Sequence, residues 1–311
     1  MNDKSLKKAE THGGNFLRVF KKEYSNWLFM SPFIIGFLVF VAYPILTSLY
    51  YSFTNYNGLK ITKYGFFNYQ DIFDFSKFGM GKDIWKSFKL TAIYAVISIP
   101  LNTVLSYSLA LVLKKNIAGI KIVRLLCYLP VLIPGIVFGQ IWMDMLGHPE
   151  GLINSWLVNL GLPKQTFFSA EATQLSTLIV VSQWGIGGGM IVWLAALENI
   201  PATLYEAADI DGAKYYKKLF KITLPMSTPI IFYNLISAVI GCLQTFDSYA
   251  YLGRGENDAT YFISIRIYVT AFEGTVHQYG FACAMAWILF IIIAVLTGIM
   301  FKSSKWVFYG E

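Results

Sequence analysis

Six segments of this sequence, at about 28–52, 88–113, 122–145, 174–197, 229–252 and 279–302, are each long and apolar enough to cross a lipid bilayer as a helix. A hydrocarbon core of about 30 Å needs about 20 apolar residues at 1.5 Å each. Within that core the backbone must satisfy its own hydrogen bonds, which favours helices. Charged residues make up 14% of the chain and hydrophobic residues 56%, with a mean hydropathy of +0.52. Soluble domains carry roughly 25% charged residues. The sequence therefore predicts an all-α polytopic membrane protein with six transmembrane helices, occupying residues 28–311. Residues 1–27 are expected to form a separate N-terminal segment, cytoplasmic or interfacial. In it "NFLRVFKKEYSNW" can lie in the headgroup region with Phe16, Val19 and Phe20 on one side and Lys21 and Lys22 on the other. The first span is too long for a signal-peptide core and no small-residue cleavage site follows, so it is expected to remain as an anchor.

Basic residues set the orientation. With the N-terminus inside, sixteen of the 25 lysines and arginines fall on the cytoplasmic side, including Lys114, Lys115, Lys121 and Arg124 in one loop and Lys214, Lys217, Lys218 and Lys221 in another. Both termini are then expected to be cytoplasmic, in a multi-pass membrane protein. The net charge of +7 is explained by orientation and contact with anionic lipid rather than by nucleic acid. Cys127, Cys242 and Cys283 all lie inside apolar spans without zinc or redox spacing, and His12, His148 and His277 are too dispersed to suggest a metal site. No metal or cofactor is expected in this chain.

The loop of residues 198–228 carries more chemistry than a connection between spans requires. Pro201 can open a short helix, on which Leu204, Ala207, Ala208 and Asp211 recur at i, i+3, i+4 and i+7. Small side chains on that face allow close docking of the helix in a groove of another protein. Gly212 can adopt the left-handed conformation that ends the helix. A second amphipathic helix follows, with Lys214, Lys217, Lys218 and Lys221 on one face and Tyr215, Tyr216, Leu219, Phe220 and Ile222 on the other. Leu224-Pro225 closes it.

The order Glu206-Ala207-Ala208, Asp211-Gly212-Ala213, Phe220, Ile222, Leu224-Pro225 and Pro229 resembles the EAA loop of bacterial ATP-binding-cassette (ABC) importer permeases. The first span "SPFIIGFLVFVAYPILTSLYYSFTNYNG", the last span's "YGFACAMAWILF" and the ending "KWVFYGE" are similar to the carbohydrate-uptake branch, the MalF-like or UgpA-like permeases. The resemblance runs from about residue 28 onward and implies a type I importer (MetI-like) permease fold. It also implies that Glu206, Ala207, Ala208, Asp211, Gly212, Ala213, Phe220, Leu224 and Pro225 couple the chain to a cytoplasmic ATPase. The implied partners are a second homologous, MalG-like permease, two ABC ATPase subunits and an extracytoplasmic solute-binding protein. Whether the permease pair is a heterodimer or a homodimer stays open.

No G-x-x-x-x-G-K-[ST] occurs; "GMGKD" at Gly79–Asp83 lacks the leading glycine and has Asp after GK. Without a P-loop to hold phosphates, ATP and magnesium are expected on a partner subunit, and this chain is expected to be a non-catalytic membrane subunit. Nor does any Ser/His or HExxH arrangement suggest an intramembrane enzyme.

Polar groups inside a membrane are costly and point to function. Gln183 and Trp184 in the fourth span, Asn234, Gln244 and Asp247 in the fifth, and Gln140 and Trp142 in the third are candidate pathway residues. Amides and carboxylates beside aromatic faces suit a sugar. Gly185 and Gly189 also form a GxxxG spacing that can pack two helices closely, and Trp142 also suits an interfacial belt. Pro100, Pro130 and Pro134 are expected to break helices two and three. After span five, "LGRGENDAT" replaces the Thr-Gly-Gly-Gly-Pro-like turn of relatives. Its charges change the surface that a binding protein would meet and are compatible with a charged saccharide. Together these features imply import of a sugar or oligosaccharide by alternating access. The alternatives are a non-sugar polar solute such as a glycerol phosphate diester, or a stand-alone secondary carrier.

Overall fold

The computed structural model describes residues 24–76, 79–115, 118–273 and 277–308. The interfacial segment with Phe16, Val19, Phe20, Lys21 and Lys22 lies outside the described residues. Four long helices are each apolar enough to cross a membrane: α1 (Asn26–Ser52), α3 (Gly81–Leu113), α10 (Tyr215–Leu243) and α12 (Tyr279–Lys302). Two bent pairs complete a set of six, α4 and α5 (Ile120–Leu132 and Gly135–Leu146, bent by 97°) and α7 and α8 (Glu171–Gly185 and Gly187–Glu198, bent by 47°). Shorter helices fill the connections: α2 (Phe67–Ile72), α6 (Leu152–Asn159), α9 (Ala202–Ile210) and α11 (Ile263–Phe272).

The central helix is α3. It packs against α8, α10 and α11 and contributes to all three buried clusters. At 33 residues it is about 50 Å long, so its first turns, with Lys82, Lys86 and Lys89 exposed, extend past any bilayer core. Pro100 lies inside this helix without interrupting it, contrary to the expected break. The first span behaves differently. Its second half packs along α12, while none of its most apolar 18-residue stretch is buried by this chain.

The bend between α4 and α5 follows from Pro130 and Pro134. Pro130 sits in a 3₁₀ turn. Ile133, which precedes Pro134, is extended at φ −78° and ψ 124°, the conformation that proline imposes on its predecessor. The bend between α7 and α8 has no proline and sits at a close backbone contact. A side chain at Gly187 would run into the backbone of Cys127 and Tyr128, so the α4 backbone lies directly against the break. Close packing here belongs to Gly187 and to Gly189, which faces Ser106; nothing among the described residues crowds Gly185. Trp193, 2% exposed, donates to Ser106 Oγ at 2.9 Å and locks α8 onto α3. The expected fifth span ends early. Its helix stops at Leu243, and Gln244 and Asp247 lie in the irregular chain beyond it.

Candidate functional site

The broken helices and the early end of α10 enclose a cavity of about 320 Å3. Pro130, Val131, Ile133 and Gly135 supply one wall from the α4–α5 bend, Ser182 and Gly185 another from the α7–α8 bend, and Thr245, Asp247, Ser248 and Tyr251 a third. Tyr94, on α3, closes the back and is 7% exposed. The chemistry is that of a polar-solute site: hydroxyls on Tyr94, Ser182, Thr245, Ser248 and Tyr251, one carboxylate on Asp247, and the Phe138 ring. Ser248 Oγ is buried with no hydrogen-bond partner, an unmet demand that a bound solute or water can satisfy. Glycine shapes the wall where Tyr251 enters, because a Cβ at Gly139 would occupy the space of the Tyr251 ring.

Of the pathway residues expected from sequence, the structure brings Asp247 into this cavity. Trp184 stacks near Phe138 (ring centroids 5.5 Å) and meets the edge of Trp142 (5.4 Å, 89°), so these rings back the cavity wall. Trp142 Nε1 and Gln183 Oε1 are buried without partners beside it, while the Gln183 amide nitrogen is held by Ile179 O at 2.9 Å. Three other residues are elsewhere. Gln140 is exposed and donates to Asp144 at 3.0 Å. Asn234 donates back to Ile230 O of its own helix at 3.0 Å. Gln244 faces a separate, largely apolar cavity with Tyr268 and Phe290. Sequence reasoning missed Tyr94, Ser182, Thr245, Ser248 and Tyr251. The cluster of polar residues Gln244, Thr245, Asp247 and Ser248 inside the expected span was the available signal for Thr245 and Ser248.

The charged loop 253–262 is consumed within the chain. Arg254 forms a two-pronged pair with Asp258 (2.9 and 3.1 Å), and its guanidinium lies 4.4 Å from the Tyr261 ring centroid. Arg266 lies 4.3 Å from the same centroid and donates to Ser87 Oγ at 2.8 Å. Asn257 donates to Glu171, and the Glu256 N–H to Gln174 Oε1, joining the loop to α7. Its charges therefore hold one fold of the loop.

At the opposite end of the helices, residues 199–228 form the expected helix, turn and helix. Pro201 is the residue before α9 rather than its first, and α9 ends at Gly212 with φ +66°. The Ala213 N–H donates to Ala208 O at 2.8 Å and Gly212 N–H to Asp209 O at 3.0 Å, the closing pattern of a helix that ends on a left-handed glycine. Lys218 pairs with Asp209 across the turn. Tyr205 faces the rest of the chain: its hydroxyl lies 2.9 Å from Thr223 Oγ1 and its ring under Lys114. The outward side of α9 carries Glu206, Ala207 and Ile210, the last 88% exposed. Of the face that the spacing suggests, Leu204, Ala207 and Asp211 are exposed and Ala208 is half-buried, while the exposed Ile210 was not foreseen. Tyr215, Tyr216 and Phe220 are exposed and Ala213 is half-buried; Leu224-Pro225 does not close the second helix as expected, because α10 runs unbroken from Tyr215 through a π turn at Leu219–Thr223 and past Pro229.

Residues 102–307 match the family model described as "Binding-protein-dependent transport system inner membrane component". The chain is similar to the probable ABC transporter permease protein YesP of Bacillus subtilis, 37% identical over 93% of each chain. It is also similar to a probable permease of a starch degradation products transport system from Thermoanaerobacterium thermosulfurigenes, 30% identical over 90% of this chain and 94% of that one. Among solved structures, a chain of a bacterial ABC transporter that imports the acidic polysaccharide alginate superposes with a TM-score of 0.77. The match is 22% identical and covers 94% of this chain and 98% of that one. The type I importer fold is therefore shared. The protein is a multi-pass inner-membrane permease that works with a solute-binding protein, and the chain belongs to the binding-protein-dependent transport system inner membrane components.

Proposed function

We propose that this chain is the transmembrane permease subunit of an ABC importer for a sugar or oligosaccharide. The observation that carries the cargo is the cavity at the three helix breaks: five hydroxyls and the Asp247 carboxylate beside aromatic rings, among helices that are otherwise apolar. Hydroxyl-rich rings need acceptors and donors at fixed angles and a flat surface for their C–H face. The relatives point the same way, with transport systems named for starch degradation products, arabinooligosaccharides, and trehalose and maltose. A glycerol phosphate diester fits less well, since Asp247 would repel it and no basic residue lines the cavity among the described residues.

In this reading the loop 198–228 faces the cytoplasm, together with both termini. The face of α9 with Glu206, Ala207 and Ile210 docks in a groove of an ABC ATPase, which binds ATP and magnesium. A second, homologous permease completes the pore, with two ATPases below and the binding protein above. ATPase closure moves α9, and through Tyr205 and Thr223 it moves α10, whose far end carries Asp247. The two helix breaks are the elements with two packings that alternating access requires.

The test is ATP-driven uptake of maltotriose, arabinotriose, lactose and trehalose by proteoliposomes holding the whole complex and its binding protein. Uptake of one of them, lost in Asp247→Ala and in Tyr251→Ala while ATPase binding persists, supports the reading. Uptake that continues unchanged in both variants removes the cavity from the pathway.

A further inference from the structure

A second polar cavity, of about 310 Å3, lies at the other end of the helices from α9, between the chain after α1, the short helix α2 and the start of α12. It shares no lining residue with the first. Its walls are fixed. Gly280 N–H donates to Tyr56 O at 3.0 Å, and Gly58 lies so close to the Tyr279 ring that no side chain fits there. The Tyr56 ring is stacked on Tyr51, with centroids 4.2 Å apart and planes 19° apart.

Two of the polar side chains that line it, Asn57 and Asn68, are held by one end and free at the other. Asn68, 3% exposed, gives both amide hydrogens to Ser52 O and Thr54 O at 2.8 Å, which leaves its carbonyl oxygen. Asn57 accepts from the Leu59 and Lys60 N–H groups through its oxygen, which leaves its amide hydrogens. The side chains of Asp71 and Gln278 make no hydrogen bond or ion pair among the described residues, although both line the cavity. Lys63 lies over Phe67 on the rim, 4.5 Å from its centroid, and His277 lines the cavity itself, with its Nδ1 buried and without a hydrogen-bond partner among the described residues.

Two anchored amides, at Asn57 and Asn68, with the uncommitted polar ends of Asp71 and Gln278 beside a fixed ring, offer the mixed donors and acceptors that a saccharide recognises, and the volume is at the small end of ligand pockets. We propose that this cavity is a second saccharide-binding site, at the outer mouth of the permease, which takes a single sugar ring of the transported cargo. The proposal rests on the sugar-import reading above. It gives the arriving sugar a foothold before it reaches Asp247, separate from the binding protein that delivers it.

The experiment is saturation-transfer NMR on the whole transporter in nanodiscs, without binding protein, using maltotriose, arabinotriose, lactose and trehalose. Asp247→Ala is the background, so that the inner cavity is disabled. A saccharide signal should persist there, and adding Asp71→Leu or Gln278→Leu should weaken binding by about tenfold. Neither side chain supports the fold through a bond, and ATPase activity of each variant verifies assembly. A signal abolished by Asp247→Ala alone overturns the second site, as does one unchanged in both added variants, or no signal at all. ATP-driven uptake separates the two failures: if the wild type transports one of these sugars, only the outer site falls, and if it transports none, the sugar reading falls with it.

Discussion

The Tyr205 hydroxyl lies 2.9 Å from Thr223 Oγ1, which joins the exposed helix α9 to the π turn that begins the long helix α10. Thr223 is 5% exposed, and its backbone oxygen in turn accepts from Ser227 Oγ, which meets the Tyr107 hydroxyl of α3 at 3.1 Å. In the proposed coupling, these bonds are the route from α9 to two membrane helices. Tyr205→Phe should cost about 1 kcal/mol of stability and leave ATPase binding intact. Its effect should be fewer sugar molecules transported per ATP hydrolysed. An unchanged transport-to-hydrolysis ratio in both Tyr205→Phe and Thr223→Val would sink the linkage.

Ile210 projects from α9 with 88% of its surface exposed, next to Glu206 and Ala207. An aliphatic side chain so exposed at the C-terminal end of a short helix is a natural anchor for a groove. Ile210→Asp should release the ATPase on co-purification, by 2 kcal/mol or more in affinity (about thirtyfold). Leu204→Asp should do less, since Leu204 is 40% exposed and lies away from that face. Equal loss in the two variants would mean that the helix docks by the face that its alanine spacing suggests.

Much of this architecture is legible in the sequence because bilayer spans are long and their composition is extreme. The last span, 279–302, coincides with α12, and the left-handed turn at Gly212 follows from its place after Ala202–Ile210. What the sequence hides is where a span breaks. Pro100 and Pro134 look alike as residues, yet α3 runs straight through the first, while the second combines with Pro130 to turn the chain by 97°. The break at Gly187 lies against the backbone of Cys127, some sixty positions away in the chain. Span five is also expected from sequence to run past Leu243, because Phe246, Ala250, Tyr251 and Leu252 are interleaved with Gln244, Thr245, Asp247 and Ser248, and no proline or glycine follows directly to mark the end of the helix. Tyr94 and Ser182 were hidden as well. Each looks like an ordinary span residue until three helix breaks converge on it.

Tyr261 lies between two guanidiniums, with Arg254 at 4.4 Å and Arg266 at 4.3 Å from its ring centroid. It is 4% exposed. Each cation–π contact contributes about 0.5–2 kcal/mol, more when shielded from water. Tyr261→Leu keeps an apolar side chain but leaves both cations without the ring face. The loop 253–262 should loosen, which limited proteolysis and faster amide exchange at residues 254–260 would report. Protection equal to wild type would mean that the Arg254–Asp258 pair and the links to Glu171 and Gln174 hold the loop without the ring.

Gly139 and Tyr251 compete for one volume. A methyl at position 139 would fall on the Tyr251 ring, and the backbone of α5 has little room to yield because Gly139 is itself buried against that ring. Gly139→Ala should therefore displace Tyr251 from the cavity wall, cost about 1–3 kcal/mol in stability through overpacking, and depress sugar uptake. Tyr251→Leu removes the colliding ring and should be milder in stability while also reducing uptake. The two changes share one space, so their stability effects should not add: the double variant should be more stable than the sum of the singles predicts. Melting temperatures of the four proteins in detergent complete the cycle. Strict additivity would show that the ring leaves its place without cost, and the cavity wall would then owe its shape to something other than this pair.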